Sequence, residues 1–144
     1  RSARLYQRLI VESQKFLEVN AYISGDVESG LFYVVGKPNE GVSLEEADSL
    51  LTAELEKLKQ ERIEESELEK VKNKFESMHL LTEMSLANKA NNMAYFEILG
   101  DAENMNREIE NYRSVSAEEV CLFANEVFVP ENCSTLYYRR KKSD

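Results

Sequence analysis

Residues 65–100 read ESELEKVKNKFESMHLLTEMSLANKANNMAYFEILG, and no other stretch constrains the fold as strongly. Leu68, Val71, Phe75, Met78 and Thr82 recur at spacings of three and four. That period lines up side chains on one face of an α-helix. Past Thr82 the stripe shifts, and Leu86, Ala90, Met93 and Ala94 fit a helix in an offset register. An unbroken helix of this length is uncommon in a small domain. The pattern therefore predicts a kink or break near residues 83–86 and helix again to Leu99. Gly100 suits the position just past a helix end, where glycine tolerates left-handed backbone. Ser66 and Glu69 have the spacing of a capping box at the front of the stretch.

The segments around this spine have their own periods. Residues 3–14 carry Leu5, Leu9 and Ile10 at near-helical spacing and predict a short helix. Residues 18–24 alternate, with Val19, Ala21 and Ile23 on one face and Asn20, Tyr22 and Ser24 on the other. Residues 31–36 are β-branched and aromatic, and the polar link GDVESG joins the two runs. This is a strand–turn–strand signal. Ser43 with Glu46 forms a capping box ahead of Leu44, Ala47, Leu51, Leu55 and Leu58, so a helix is expected over 43–61. A short helix is expected over 103–112. A third capping box, Ser116 with Glu119, opens a helix with Val120, Phe123, Ala124 and Val127 inward, and Pro130 ends it. CSTLYYRR, from Cys133, reads as a last strand. The whole predicts one α+β domain over residues 1–144, with a small antiparallel-rich sheet and helices packed on one face. Three strands make a thin sheet, which points to further strands N-terminal to Arg1.

Charge and length exclude several function classes. The chain has 144 residues, the size of one ordinary domain. Its net charge of −9 argues against nucleic acid, whose binding rests on phosphate neutralisation by Lys and Arg. The basic block Arg139-Arg140-Lys141-Lys142 reads as a solvated tail. No apolar run approaches the ~20 residues of a membrane helix. RSARLYQRLIVES lacks the apolar core of a signal peptide. The chain starts without Met and inside a helical pattern, as a piece of a longer protein would. A soluble protein of cytoplasm or periplasm is the expectation.

No self-contained catalytic constellation is visible. His79 is the one histidine, with Glu83 at i+4. A catalytic zinc needs three protein ligands and an open position, and H-x-x-E-H needs two histidines. His79 therefore reads as a partly exposed helix histidine beside a carboxylate. Cys121 and Cys133 form no CxxC or Cys/His cluster, and buried free thiols are expected. There is no G-x-S-x-G elbow and no glycine-rich phosphate loop ending in Lys-Ser/Thr. ERIEESELE reads as solvated helix-end charge. Tyr22, Tyr33, Tyr137 and Tyr138 fall on expected strands, as an aromatic rim or core.

The ordered set of segments resembles the C-terminal part of the pitrilysin, insulysin and mitochondrial processing peptidase family of zinc metallopeptidases. The resemblance runs through RLYQRLIVE, FLEVNAYISGDVESGLFYVVGK, LEEADSLLTAELEKLK, ELEKVKNKFESMHLLTEMSLANKANNMAYFEILGD and REIENYRSVSAEEVCLFANEVFVPENCSTLYY. It covers nearly the whole chain and implies part of a longer, bacterial-type protein. Such a peptidase has two similar α+β halves facing each other across a chamber. One half holds zinc through H-x-x-E-H, and the other supplies chamber wall and substrate contacts. The resemblance implies that this chain is the non-zinc half. Its cofactor would be none, with zinc in the other half. Its partners would be that half or a partner subunit, a peptide substrate and, in one arrangement, a second copy.

One departure stands out. The family's second half often presents an Arg and, seven residues later, a Tyr toward the substrate. VNAY fixes the alignment, and those positions fall on Ile10 and Leu17, with Arg8 and Tyr22 out of register. No substrate-contact role is carried onto any residue. The departure keeps open a second reading, a catalytically inactive assembly module of the same fold.

Overall fold

The structure, a computed structural model, describes residues 3–25 and 27–139. The chain clusters into two compact units. One comprises Arg1–Gln60 with Ala124–Asp144, and the other Glu61–Phe123.

The first unit is built on a hairpin. β1 (Phe16–Ile23) pairs antiparallel with β2 (Phe32–Pro38). The expected alternation places Val19 opposite Gly36, Ala21 opposite Val34 and Ile23 opposite Phe32 on one face. A register shift between Phe16 and Glu18 makes Leu17 an extra residue in β1. A bulge of this kind changes the parity of a strand. It lets Phe16 join Val19 on the inner face, although they are an odd three positions apart. Phe16 is 1% exposed and, with Leu9 and Ala47, forms the buried cluster on which Leu5, Ile10, Val19, Val42, Leu50 and Leu51 pack. Gly36 is required by this packing. A Cβ there would stand 2.7 Å from Phe16 Cε1 and 3.1 Å from Leu51 Cδ1.

α1 (Leu44–Gln60) supplies Ala47, Leu50 and Leu51 to that cluster, so it covers one face of the hairpin. Its start follows the capping-box expectation on the serine side. Ser43 Oγ accepts the Glu46 N–H at 3.0 Å, while the Glu46 carboxylate takes Lys15 Nζ at 2.9 Å. The helix expected over residues 3–14 is instead largely a π-helix, Tyr6–Glu12. The Ser13 N–H reaches back five residues to Arg8 O, and Gln14 then turns through a left-handed φ of 52° into β1. Arg8 Nη1 ties this helix to α1 through Glu54 Oε2 at 2.9 Å, and Lys57 holds the other carboxylate oxygen at 2.6 Å.

The last strand expected from Cys133 does not form, and among the described residues the sheet has two strands. Residues 133–139 are held by side chains and not by a backbone ladder. Tyr137 Oη donates to Asp48 Oδ2 at 3.0 Å, and Arg139 Nη2 pairs with Glu45 Oε1 at 2.7 Å, both partners being on α1. A strand needs a neighbouring backbone to pair with. The composition of CSTLYYRR favours an extended conformation but cannot provide that neighbour. Cys133 is consequently an exposed thiol, against the expectation that both cysteines are buried. Of the basic tail, Arg139 is engaged with Glu45, and residues 140–142 lie outside the described residues.

The second unit holds the long helical stretch, broken where its pattern shifts. α2 (Glu65–Glu83) ends, and α3 (Leu86–Ile98) starts with Ser85 Oγ accepting the Asn88 N–H. α3 closes in a Schellman motif. The Gly100 N–H bonds to Glu97 O, the Asp101 N–H bonds to Phe96 O, and Gly100 takes φ +115°. The expected cap at Ser66 does not form. The helix starts two residues earlier, with Glu64 in extended backbone at its front and no side-chain cap. Glu65 and Glu67 in the first turn favour this start by complementing the positive end of the helix. The segment expected as one short helix is a 3-10 helix, Ala102–Arg107, running into α4 (Glu108–Ser114). α5 (Ala117–Val127) opens with a complete capping box. Ser116 Oγ accepts the Glu119 N–H at 3.2 Å, and Glu119 Oε2 accepts the Ser116 N–H at 2.7 Å.

The face of α2 that is covered differs from the apolar stripe. Val71 and Met78 are exposed, and α3 has no buried residue. On α2, Leu68 and Lys72 are buried, and Glu67, Phe75, Glu76, His79 and Glu83 are half-buried. Three paired contacts with α4 explain the choice. His79 Nδ1 lies 3.2 Å from Glu108 Oε2, Phe75 stacks on Tyr112, and Arg113 bonds Glu69, Asn73 and Glu76. The i, i+4 pairs on the two antiparallel helices run in opposite directions, so both side-chain pairs meet at once.

Candidate functional site

The positions singled out from the sequence sit in different environments. Ile10, on the π-helix, packs against the Leu9–Phe16–Ala47 cluster. Leu17 is 59% exposed at the bulge of β1. One position is thus core and the other is surface, and neither side chain carries a hydrogen-bonding group.

His79 is brought to Glu108 on α4, not to Glu83 of its own helix. Glu83 instead faces Lys89 and Asn92. Among the described residues no group of three or more His, Cys, Asp and Glu side chains is placed to hold a metal ion. The donor set around His79 is one imidazole and one carboxylate, which is short of a catalytic zinc site.

The cleanest grouping of exposed side chains is the outer face of the hairpin. Opposite the core face, β1 presents Glu18, Asn20 and Tyr22, and β2 presents Lys37, Val35 and Tyr33. The register sets Tyr22 directly across from Tyr33. Their rings stack with centroids 5.1 Å apart and planes 18° apart, while remaining 52% and 38% exposed. Asn20 Nδ2 donates to Glu18 Oε1 at 2.7 Å, which fixes the carboxylate. This pairing was open to sequence reasoning. With Ser24 facing Leu31 across the turn, counting back along both strands gives Tyr22 opposite Tyr33. The missing datum was the turn's closure, which strand patterning alone leaves open.

The other tyrosines have different roles. Tyr137 is anchored to α1, and its hydroxyl pKa is raised by the bond it donates to Asp48, by burial and by nearby acidic charge. Tyr138 is 90% exposed. The Glu54 carboxylate is buried, which pushes its pKa up. The bonds and charges of Lys57 and Arg8 more than offset this and hold it below the usual value. These are fold-holding interactions in the first unit.

The arrangement is a bulged hairpin following a helix, backed by α1, with no metal ligands clustered among the described residues. A model of the Peptidase M16 inactive domain matches residues 1–75, which spans the π-helix, the hairpin, α1 and the first part of α2. The chain belongs to the M16 peptidase family. What it contributes is a non-catalytic domain. A likeness in fold extends beyond that stretch. The structure is similar to that of a protease from Helicobacter pylori, with a TM-score of 0.75 at 21% identity, over 87% of this chain. At that identity the likeness establishes the fold. The chain spans 30% of that protein's length. No curated protein matches it. The α+β expectation and the C-terminal-half resemblance both agree with these findings. No helix among the described residues is long and apolar enough to cross a membrane.

Proposed function

We propose that this M16 domain forms part of the wall of a peptidase chamber and contacts the peptide that a zinc-bearing half hydrolyses. The observation that carries the proposal is the match to the inactive domain over residues 1–75, joined to a hairpin whose outer face is exposed. Both compact units act as one domain in this reading. A peptide in extended form adds its backbone to a sheet edge and places alternate side chains on the sheet face. Zinc would be held by the other half or a partner subunit, where it would supply Lewis-acid chemistry for peptide hydrolysis. The residues of this chain bind and orient.

Deleting residues 1–144 from the intact protein tests the proposal. Peptide hydrolysis should be lost, and persistence of hydrolysis would refute a required half. His79→Ala should leave activity intact, since His79 serves the α2–α4 contact.

A second reading is an assembly module without a peptidase role. Ile10 and Leu17 favour it, standing where the family often carries Arg and Tyr. The reading frame of the intact protein separates the two. An H-x-x-E-H in the other half supports the chamber, and its absence supports the module.

A further inference from the structure

We propose that the exposed face of α3 is a self-association surface, which takes α3 of a second copy, antiparallel, about a two-fold axis at Met93.

The helical period defines the face. At 3.6 residues per turn, Leu86, Lys89, Ala90, Met93 and Glu97 fall within about 100° of arc. All five are exposed, Leu86 at 85% and Met93 at 46%, while Asn92 and Phe96 on the adjoining side are half-buried. A short helix is stabilised chiefly by burying its apolar side chains. In the single chain α3 buries none of its residues.

Charge names the occupant. Lys89 and Glu97 are the only charged residues of α3, and they stand four positions before and four positions after Met93. A two-fold axis at Met93 that relates antiparallel helices sets Lys89 of each copy level with Glu97 of the other. Two opposite-charge pairs then close together. A parallel pair would oppose Lys89 to Lys89 and Glu97 to Glu97, so the same charges select the direction. Between the two pairs Met93 meets Met93, whose flexible side chain fills irregular gaps. Ala90 beside it lets the backbones approach to ~8 Å. In the single chain Lys89 Nζ lies 3.6 Å from Glu83 Oε2 and stays half exposed, and Glu97 Oε2 accepts the Ala102 N–H at 3.4 Å. Both contacts are long, which leaves each charge able to take a second partner. The net charge of −9 repels a second copy at long range, whereas the face itself carries one charge of each sign. Repulsion between exposed charges is largely screened beyond ~8 Å at physiological salt.

A single helix face offers less than the ~800 Å² per partner of a stable interface, so the dimer is a weak one. Sedimentation velocity on the chain of residues 1–144 tests it, at physiological salt and with reductant so that the exposed Cys133 cannot link copies. Wild type should pass from monomer toward dimer between about 10 µM and 1 mM, the range of a weak interface. Lys89→Glu and Glu97→Lys each make both cross-pairs repulsive and should each weaken association about tenfold or more. Glu97→Lys changes the net charge from −9 to −7, so its effect cannot come from overall repulsion. Each substitution also places the sign of charge that the nearer helix end favours, and circular dichroism checks that helix content is kept. An equimolar mixture of the two variants restores both opposite-charge pairs and should associate within a factor of about two of wild type. A wild type that stays monomeric to about 1 mM overturns the proposal. So does association that either reversal leaves unchanged, or that the mixture fails to recover.

Discussion

Gly36 and Phe16 provide the sharpest test of how the hairpin is packed. A Cβ on Gly36 would lie 2.7 Å from Phe16 Cε1 and 3.1 Å from Phe16 Cδ1 and Leu51 Cδ1. Phe16 is fully buried and has little room to move. Gly36→Ala thus forces atoms into a filled core, which costs about 1–3 kcal/mol. Removing a strand glycine gains back only ~0.5–1 kcal/mol of backbone entropy. Phe16→Ala alone costs about 3–5 kcal/mol through lost burial and the cavity it leaves. In the double variant the overlap with the ring is gone, and the new methyl occupies part of the vacated space. The two losses should therefore not add, and the double variant should be more stable than their sum by about 1 kcal/mol or more. Urea unfolding followed by circular dichroism, with hydrogen exchange at the β1 and β2 amides to localise the effect, gives the four free energies. Should Phe16→Ala leave too little folded protein, Phe16→Leu gives the same sign at lower cost. Additivity within ~0.5 kcal/mol would show that Gly36 is not there to accommodate Phe16.

Three further outcomes follow from the same structure. Ser116→Ala removes the hydroxyl half of the α5 capping box and should cost about 1 kcal/mol, seen as faster exchange of amides in the first turn of α5. Gly100→Ala puts a side chain at φ +115° and should cost about 1 kcal/mol or more by urea unfolding, without change in helix content. Glu54 titrates lower when folded than when unfolded, so it contributes stability above its unfolded value of 4.5 and loses it as pH falls through the lowered folded value. Glu54→Gln should cost about 1.5–3 kcal/mol at neutral pH, by weakening its bonds from Arg8 and Lys57. The gap to wild type should narrow in urea titrations taken below pH 4.5, and a gap independent of pH would refute the ionic role.

Local periodicity carried the helices and the hairpin because those elements satisfy their own backbone groups or pair across a short turn. The break after Glu83, the Schellman end at Gly100 and the caps at Ser43 and Ser116 all depend on residues within one turn of each other. The Ser66 cap failed because acidic residues compete for the same helix start, and a four-residue pattern does not rank the two. Of the candidate site, the two tyrosines were visible as strand residues, while their stacking was not. It depends on a turn closure that brings Ser24 opposite Leu31.

What the sequence by itself determined is the hairpin, the longer helices and the absence of H-x-x-E-H, because helical stripes, caps and ligand motifs are local. Tertiary structure alone decided which faces are covered. Val71 and Met78 have the right period yet stay exposed, since Arg113, Tyr112 and Glu108 draw the neighbouring face of α2 toward α4. It also decided that residues 133–139, with the composition of a strand, run beside α1 without forming one. The reason is the same in both cases. Periodicity states what a segment can offer, and burial and pairing require a partner distant in sequence.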